Sequence, residues 1–308
     1  MFLRKILLTL SLVTMMNSLA IGQVKLERTF QEGTTHTVDI TSRTEQKLTI
    51  AGMEIDTSSD SKTTVKAEVG KRDDAGNLRV QEKITSMLIT TKVMGSDYVF
   101  DSANPDKVSG SALEIMRPLH KAICRRTSTT VYDRENKITQ VEYDEDVLNQ
   151  LTDDVRTLVK GQFDTEATKK AANDELEKLP SDPVNKGDTW EHTTKLNLGA
   201  GQVMTVSTRY TYEGETEKDG RTLDRITTKV QSVEFALEPG SPLPFTVKES
   251  ALKAAETKGE LLFDRKLGRT VKSSSSIQIV GDMTFVINGM ELPSKLHLKI
   301  ETETETKE

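Results

Sequence analysis

The chain has 308 residues, a net charge of −6, 35% hydrophobic and 5% aromatic residues, and a single cysteine, Cys124. This acidic balance gives no basic field for nucleic acid or an anionic lipid surface, and one cysteine excludes an intramolecular disulfide. So few large apolar side chains in so long a chain argue against a thick double-layered core and for a large sheet with one wet face.

The first residues, MFLRKILLTLSLVTMMNSLAIGQ, place Arg4 and Lys5 before an apolar run and end it on the small residues Ala20 and Gly22. That order reads as a signal peptide over residues 1–22, with export to the periplasm or beyond the cell and a mature chain starting at Gln23. The apolar run is shorter than the ~20 residues needed to cross a bilayer. No later segment approaches that length, so no transmembrane segment is expected in the mature chain.

Residues 23–108 form an N-terminal β half. Apolar and polar residues alternate with period two, the mark of half-buried strands. In NLRVQEKITSMLI (77–89), Leu78, Val80, Ile84 and Leu88 share one face, opposite Arg79, Gln81, Lys83 and Thr85. TIAGMEI (49–55) reads as strand, two-residue turn, strand, and VINGMEL (286–292) writes the same pattern again. Ala51-Gly52, Asn288-Gly289, Ala75-Gly76 and Asp219-Gly220 each separate two alternating runs, as hairpin turns do. The echo implies an internal pseudo-repeat, with two similar curved sheets or two halves of one.

Residues 109–180 form a helical insert with a short β-hairpin. SGSALEIMRPLHKAI (109–123) opens with a capping box, Ser111 and Glu114, and Pro118 limits or kinks the helix that follows. TSTTVYDRENKITQVEY supplies the hairpin. DEDVLNQLTDDVRTLVKG (144–161) carries Val147, Leu148, Leu151, Val155, Leu158 and Val159 on one stripe and is expected to be a helix. Leu148, Leu151, Val155 and Leu158 are the candidate lining of an apolar groove between that helix and the sheet. A weaker helix is expected from about Asp164 to Lys178, ending before Pro180.

Residues 181–308 form a C-terminal β half. In VMTVSTRYTY (203–212), Met204, Val206, Thr208, Tyr210 and Tyr212 share a face. The tail ETETETKE (301–308) reads as an exposed edge strand whose charges discourage edge-to-edge pairing.

Motifs that carry chemistry are missing from the sequence. His36, His120, His192 and His297 are far apart and show no metal-ligand spacing, and no nucleophile elbow, phosphate loop or dinucleotide fingerprint occurs. The acidic DEDVLNQLTDD lacks the alternating oxygen ligands and central glycine of a calcium loop. No catalytic residue, cofactor or metal is therefore expected. Cys124 reads as a small buried side chain.

LPSDPVNKGDTWEHTTKL (179–196) joins a proline-marked loop to Lys186-Gly187-Asp188-Thr189-Trp190 and then a strand. This lead-in resembles a family of uncharacterised secreted bacterial proteins that share a domain of unknown function. The resemblance implies no activity and no site residues. Locally, Gly187 and Asp188 make a turn, and Trp190 anchors the first strand of the second half.

The expected fold is mainly β (α+β): long antiparallel hairpins forming a curved sheet or half-barrel around a central helical insert. The expected function is an exported, non-enzymatic binding module for an apolar or lipid-like ligand held between sheet and helix. Its partner would be a hydrophobic small molecule or an envelope component. The alternatives are a structural or surface-assembly protein of the cell envelope and a hydrolase with a scattered site.

Overall fold

The computed structural model describes residues 23–308 except Met94 and Glu145. The expected signal peptide, residues 1–22, lies outside the described residues. Among the described residues twelve strands form one antiparallel sheet: β1 (Thr35–Ile50), β2 (Met53–Val69), β3 (Leu78–Val93), β4 (Ser96–Asp101), β5 (Thr127–Tyr132), β6 (Ile138–Tyr143), β7 (Thr189–Gly199), β8 (Gln202–Lys218), β9 (Arg221–Leu237), β10 (Thr246–Asp264), β11 (Arg269–Ile287) and β12 (Met290–Lys307). Their order is β6-β5-β3-β2-β1-β12-β11-β10-β9-β8-β7, with β4 paired to β3. The two β halves are thus halves of one open, curved sheet, joined where β1 pairs with β12 from Thr37↔Lys307 to Ile50↔Ser294. Among the described residues three α-helices complete the fold: α1 (Arg117–Arg125), α2 (Asp153–Val159) and α3 (Thr165–Leu176).

The repeated heptapeptides are hairpin turns. Ala51 and Gly52 have φ of 47° and 86°, and Asn288 and Gly289 have 50° and 78°, the double left-handed geometry of a two-residue turn that fits the strand twist. The joining of β1 to β12 brings the two turns to the same end of the sheet, where Ala51 N donates to Pro293 O at 3.0 Å. Asp219-Gly220, with φ of 50° and 73°, makes a third such turn. Ala75-Gly76 does not. It lies in a longer loop that Asp73 closes by accepting from Asn77 N and Nδ2.

Bulges bend the long strands. One of them, between Thr64↔Ser86 and Val65↔Ile84, leaves Thr85 unpaired and shifts the inward face of β3 by one residue. Met87 is therefore buried and Leu88 is 42% exposed, the reverse of what unbroken alternation predicts. The tail is also placed differently from its edge-strand reading. Residues 301–305 are central, paired on one side with β1 and on the other with β11, and residues 306 and 307 continue the pairing with β1. Their alternation has another cause. Glu301, Glu303 and Glu305 occupy one face, while Thr302, Thr304 and Thr306 share the opposite one with the sheet's inward residues.

The insert is more broken than its sequence suggests. Residues 144–161 do not form one helix: a 3-10 turn (Leu148–Gln150) stops at Leu151, whose φ and ψ are −103° and 152°, and α2 begins afresh after Thr152. Pro118 sits in the first turn of α1 and starts it instead of kinking it, where its missing N–H does no harm. Glu114 accepts from Ser109 N and Oγ, and Ser111 Oγ accepts from Leu113 N, so the two residues do not close a reciprocal box. The weaker helix forms close to its expected limits, as α3.

α3 lies between the two free edges of the sheet. Against β6, Asn173 acts as a substitute strand partner: its Oδ1 accepts from Ile138 N and its Nδ2 donates to Ile138 O, both at 2.9 Å. Ala172 and Leu176 pack on Val69, Leu78, Tyr132 and Ile138. Against β7, Trp190 Nε1 donates to Lys178 O at 2.8 Å just beyond the helix. Asn173→Leu keeps the apolar packing but leaves two backbone groups of the edge unpaired. It should lower unfolding stability by about 1–3 kcal/mol, readable as a drop in the urea midpoint at unchanged slope.

Candidate functional site

The inward face of the sheet encloses a hollow of about 680 Å3, within the roughly 300–1,000 Å3 typical of small-molecule sites. Its composition follows from register. One row of directly opposed residues crosses six strands as Tyr210–Thr228–Gly259–Ser275–Thr302–Ser42, a belt of hydroxyls interrupted by one glycine. Gly259 has a reason to be glycine: a Cβ there would lie 2.0 Å from Thr228 Oγ1. Towards the hairpin end the belt gives way to an apolar cluster of Met204, Val233, Ile279, Met283, Phe285, Leu296 and Leu298. Towards the opposite end it meets a second cluster, in which Ile226, Phe263, Tyr210 and Tyr212 surround Leu26 and Val184.

Leu26 belongs to a segment that sequence periodicity did not mark. Residues 23–34 cross that second end of the hollow as a strap. Val24 bridges to Val184, Leu26 is 2% exposed, Thr29 N donates to Gly268 O at 3.0 Å, and the Phe30 ring meets Tyr132 at 4.5 Å. Gly268 has φ of 62°, and a Cβ on it would come within 2.4 Å of Thr29 N, so the strap passes directly over a position that only glycine suits. The roof on the helical side is the end of α3 and the turn after it, through Glu175, Leu176, Lys178 and Leu179. Trp190, stacked on Tyr210 with ring centroids 5.5 Å apart, lines the same space.

The candidate groove residues lie elsewhere. Leu151 and Val155 are buried with Leu119 and Ala122 of α1, and Leu148 packs against that cluster. Leu158 is 42% exposed. The structure brings the first three together, but into a helix–helix contact, and none of the four lines the hollow.

Polar groups missed by periodicity do line it. Arg28, His36, Glu82 and Arg269 all face the hollow near the strap. His36 Nδ1, Arg269 Nε and Thr257 Oγ1 are buried with no hydrogen-bond partner among the described residues. Glu82 is open to the hollow but ringed by protein, so loss of water raises its carboxyl pKa while Arg28 pulls the other way. Burial, followed by the charges of Arg269 and Arg28, lowers His36 to about 4. A signal was present in the sequence, because Glu82 stands in phase with Leu78, Val80 and Ile84, and His36 with Val38 and Ile40.

The remaining histidines have other surroundings. His120 Nδ1 lies 2.7 Å from Tyr98 OH, and burial, then Arg117, lowers it to about 4. His297 contacts Gln278. Among the described residues no group of three or more His, Cys, Asp or Glu side chains is placed to hold a metal ion. Cys124 is half-buried, with Sγ 3.8 Å from Met87 Sδ, and burial raises its thiol pKa.

The two depressed imidazoles fix a pH dependence. An unfolded chain takes up these protons near 6.5, whereas the fold refuses them until about pH 4. Their contribution to stability is complete above pH 6.5 and is lost as pH falls through 6.5 towards 4, by on the order of 3 kcal/mol per histidine at most. His120→Gln keeps an acceptor for Tyr98 OH but does not titrate. Its urea midpoint should fall less than that of the unmodified chain between pH 7 and pH 4.5.

A model of a family of unknown function (DUF6263) matches residues 75–220. The match runs from the loop before β3 to the β8–β9 turn and so contains both free edges of the sheet and the insert between them. No curated protein matches the chain in sequence. Among solved structures, the chain is similar to lipovitellin, described under lipid–protein interactions, at 10% identity and a TM-score of 0.42 over 91% of this chain and 26% of that one. It is similar to OccK5 (OpdH) of Pseudomonas aeruginosa at 7% identity and a TM-score of 0.22, covering 91% of this chain and 99% of that one. It is also similar to a DUF1329 family protein from Desulfovibrio piger at 7% identity and a TM-score of 0.14, over 84% and 83% of the two chains. The chain thus spans about a quarter of the lipovitellin chain it matches.

Proposed function

We propose that this chain is an exported, non-enzymatic binding module that holds an apolar, lipid-like molecule in the hollow between its curved sheet and α3. The observation that carries this reading is the hollow itself. Side chains such as Leu196, Met204, Val206, Val230, Ile277, Ile279 and Ile300 face a space of about 680 Å3 that close-packed interiors do not leave empty without a use. The same reading takes the β9–β10 side as the way in. The ladder between β9 and β10 covers only Gly259–Phe263 against Asp224–Thr228, and Val230 and Thr257 line the hollow where that ladder has ended. Export rests on the composition of residues 1–22.

The test is native mass spectrometry of protein purified without detergent from an exporting host. A co-purifying apolar molecule on a chain that starts at Gln23 is the expected result. A bare protein that also takes up no added acyl chain would overturn the binding reading. Retained Met1 would overturn export.

A further inference from the structure

We propose that the molecule held in the hollow is an anionic amphiphile, with its carboxylate or phosphate head against Arg28, His36 and Arg269 at the strap end and its chain directed to the apolar cluster at the hairpin end. This rests on the binding reading above and names the class of ligand.

The strap holds a charged side chain over the hollow. Arg28 stands between two anchors, Leu26 in the apolar cluster and Thr29 bonded to Gly268 O, and Asn136 Nδ2 donates to its carbonyl at 3.2 Å. The backbone at this point is held over the hollow, so the guanidinium cannot simply swing away with a loose terminus. Its side chain lies 5.3 Å from the Phe30 ring centre, and among the described residues no carboxylate is within ion-pairing distance of it. Glu82 lines the same end of the hollow, and loss of water there disfavours its anion, with the charge of Arg28 pulling the other way.

Across the space, Arg269 pairs with Glu308 at 3.4 Å, but Glu308 is 64% exposed and Arg269 Nε is buried without a partner. His36 Nδ1 is in the same condition. Glu175 is occupied by Lys178 at 2.5 Å. The end of the hollow therefore presents one unpaired guanidinium, the buried Nε of a second, and an unsatisfied imidazole nitrogen. A buried donor without an acceptor is costly, and a guanidinium is suited to a two-oxygen anion such as a carboxylate or phosphate. Ile226 and Phe263 flank the strap end, and beyond these charged groups the wall passes from hydroxyls at Thr228, Ser275 and Thr304 to Val206, Ile277, Ile279 and Ile300. An amphiphile has that same order of polarity along its length.

Trp190 is the only tryptophan of the chain and lines the hollow, so its fluorescence reports occupancy. Residues 23–308 are titrated with hexadecanoate, hexadecyl phosphate, hexadecan-1-ol and hexadecyltrimethylammonium below their micelle concentrations, with calorimetry as an independent readout. At least tenfold tighter binding of one or both anions than of the alcohol is expected, and the cation should bind weakest. The anion that leads tells whether the head is of fatty-acid or phospholipid type. Arg28→Gln should abolish most of the preference for anions and leave alcohol binding unchanged, with circular dichroism confirming the fold. Equal affinity for acid and alcohol, or no effect of Arg28→Gln on their ratio, would overturn the head-group assignment while leaving the apolar hollow intact. Failure of every chain to bind would overturn both.

Discussion

Asp224→Ala should lower the unfolding free energy by about 3–5 kcal/mol, the range for breaking a buried charged network by removing one member. Asp224 is fully buried, and both of its carboxylate oxygens are in use at 2.6 Å: Oδ1 accepts from Tyr212 OH and Oδ2 from Arg265 Nε. Arg265 is 38% exposed and also pairs with Glu215, so water and a second acid soften its loss and the lower part of that range is expected. Tyr212 has no such relief, since it is 3% exposed and would keep a buried hydroxyl without an acceptor. Tyr212→Phe removes only that hydroxyl and should cost about 1 kcal/mol. A double variant should then cost less than the sum of the two, because the residues share one bond. Urea unfolding followed by circular dichroism checks all three. A cost for Asp224→Ala below 1 kcal/mol would mean that the carboxylate is not what ties β8 to β9 and to the turn after β10.

The second large effect is on binding. Thr208→Trp should weaken binding of an acyl probe by at least tenfold, about 1.4 kcal/mol, with little loss of stability. Thr208 lies inward on β8, opposite Val230, and faces the hollow. An indole there enters open space instead of a packed core, and aromatic residues suit strands. Thr205→Trp is the control: it stands on the same strand in the opposite phase and so faces away from the hollow. Equal binding by the two variants would place the probe outside the sheet. A Thr208→Trp chain that unfolds would show that the space is smaller than the lining residues imply.

Much of the fold was legible because hairpins declare themselves locally. Two turn residues with positive φ, flanked by alternating runs, are enough to locate β1–β2, β8–β9 and β11–β12, and the inward set Met204, Val206, Thr208, Tyr210 and Tyr212 follows from period two. The non-local part was not legible. Nothing in ETETETKE says that both of its edges are taken, since charges on an outward face look the same on a central strand as on an edge strand. The bulge at Thr85 was equally silent, because an extra residue changes phase without changing composition.

The candidate site was misplaced for a related reason. The stripe in 144–161 is a sound apolar face, but a face does not name its partner, and Leu151 and Val155 found α1 first. The better signal was polar. Glu82, Asp224 and His36 each interrupt an apolar phase, and an ionisable residue at an inward position has either a partner or a cavity. Asp224 has the partners, while Glu82 and His36 have the cavity. The strap was invisible because residues 23–34 follow no period, and only the packing of Leu26 and the close approach of Thr29 to Gly268 give it a role.

The central claim is that an apolar chain lies inside the curved sheet. The most direct measurement is a crystal structure of residues 23–308 with a fatty acid brominated at its tail, located by the anomalous signal of bromine. One strong bromine peak is expected within van der Waals reach of Met204, Val206, Ile277 and Ile279, on the inward side of β8 and β11. A peak only on the outer face of the sheet, or none in crystals grown at saturating ligand, would contradict it.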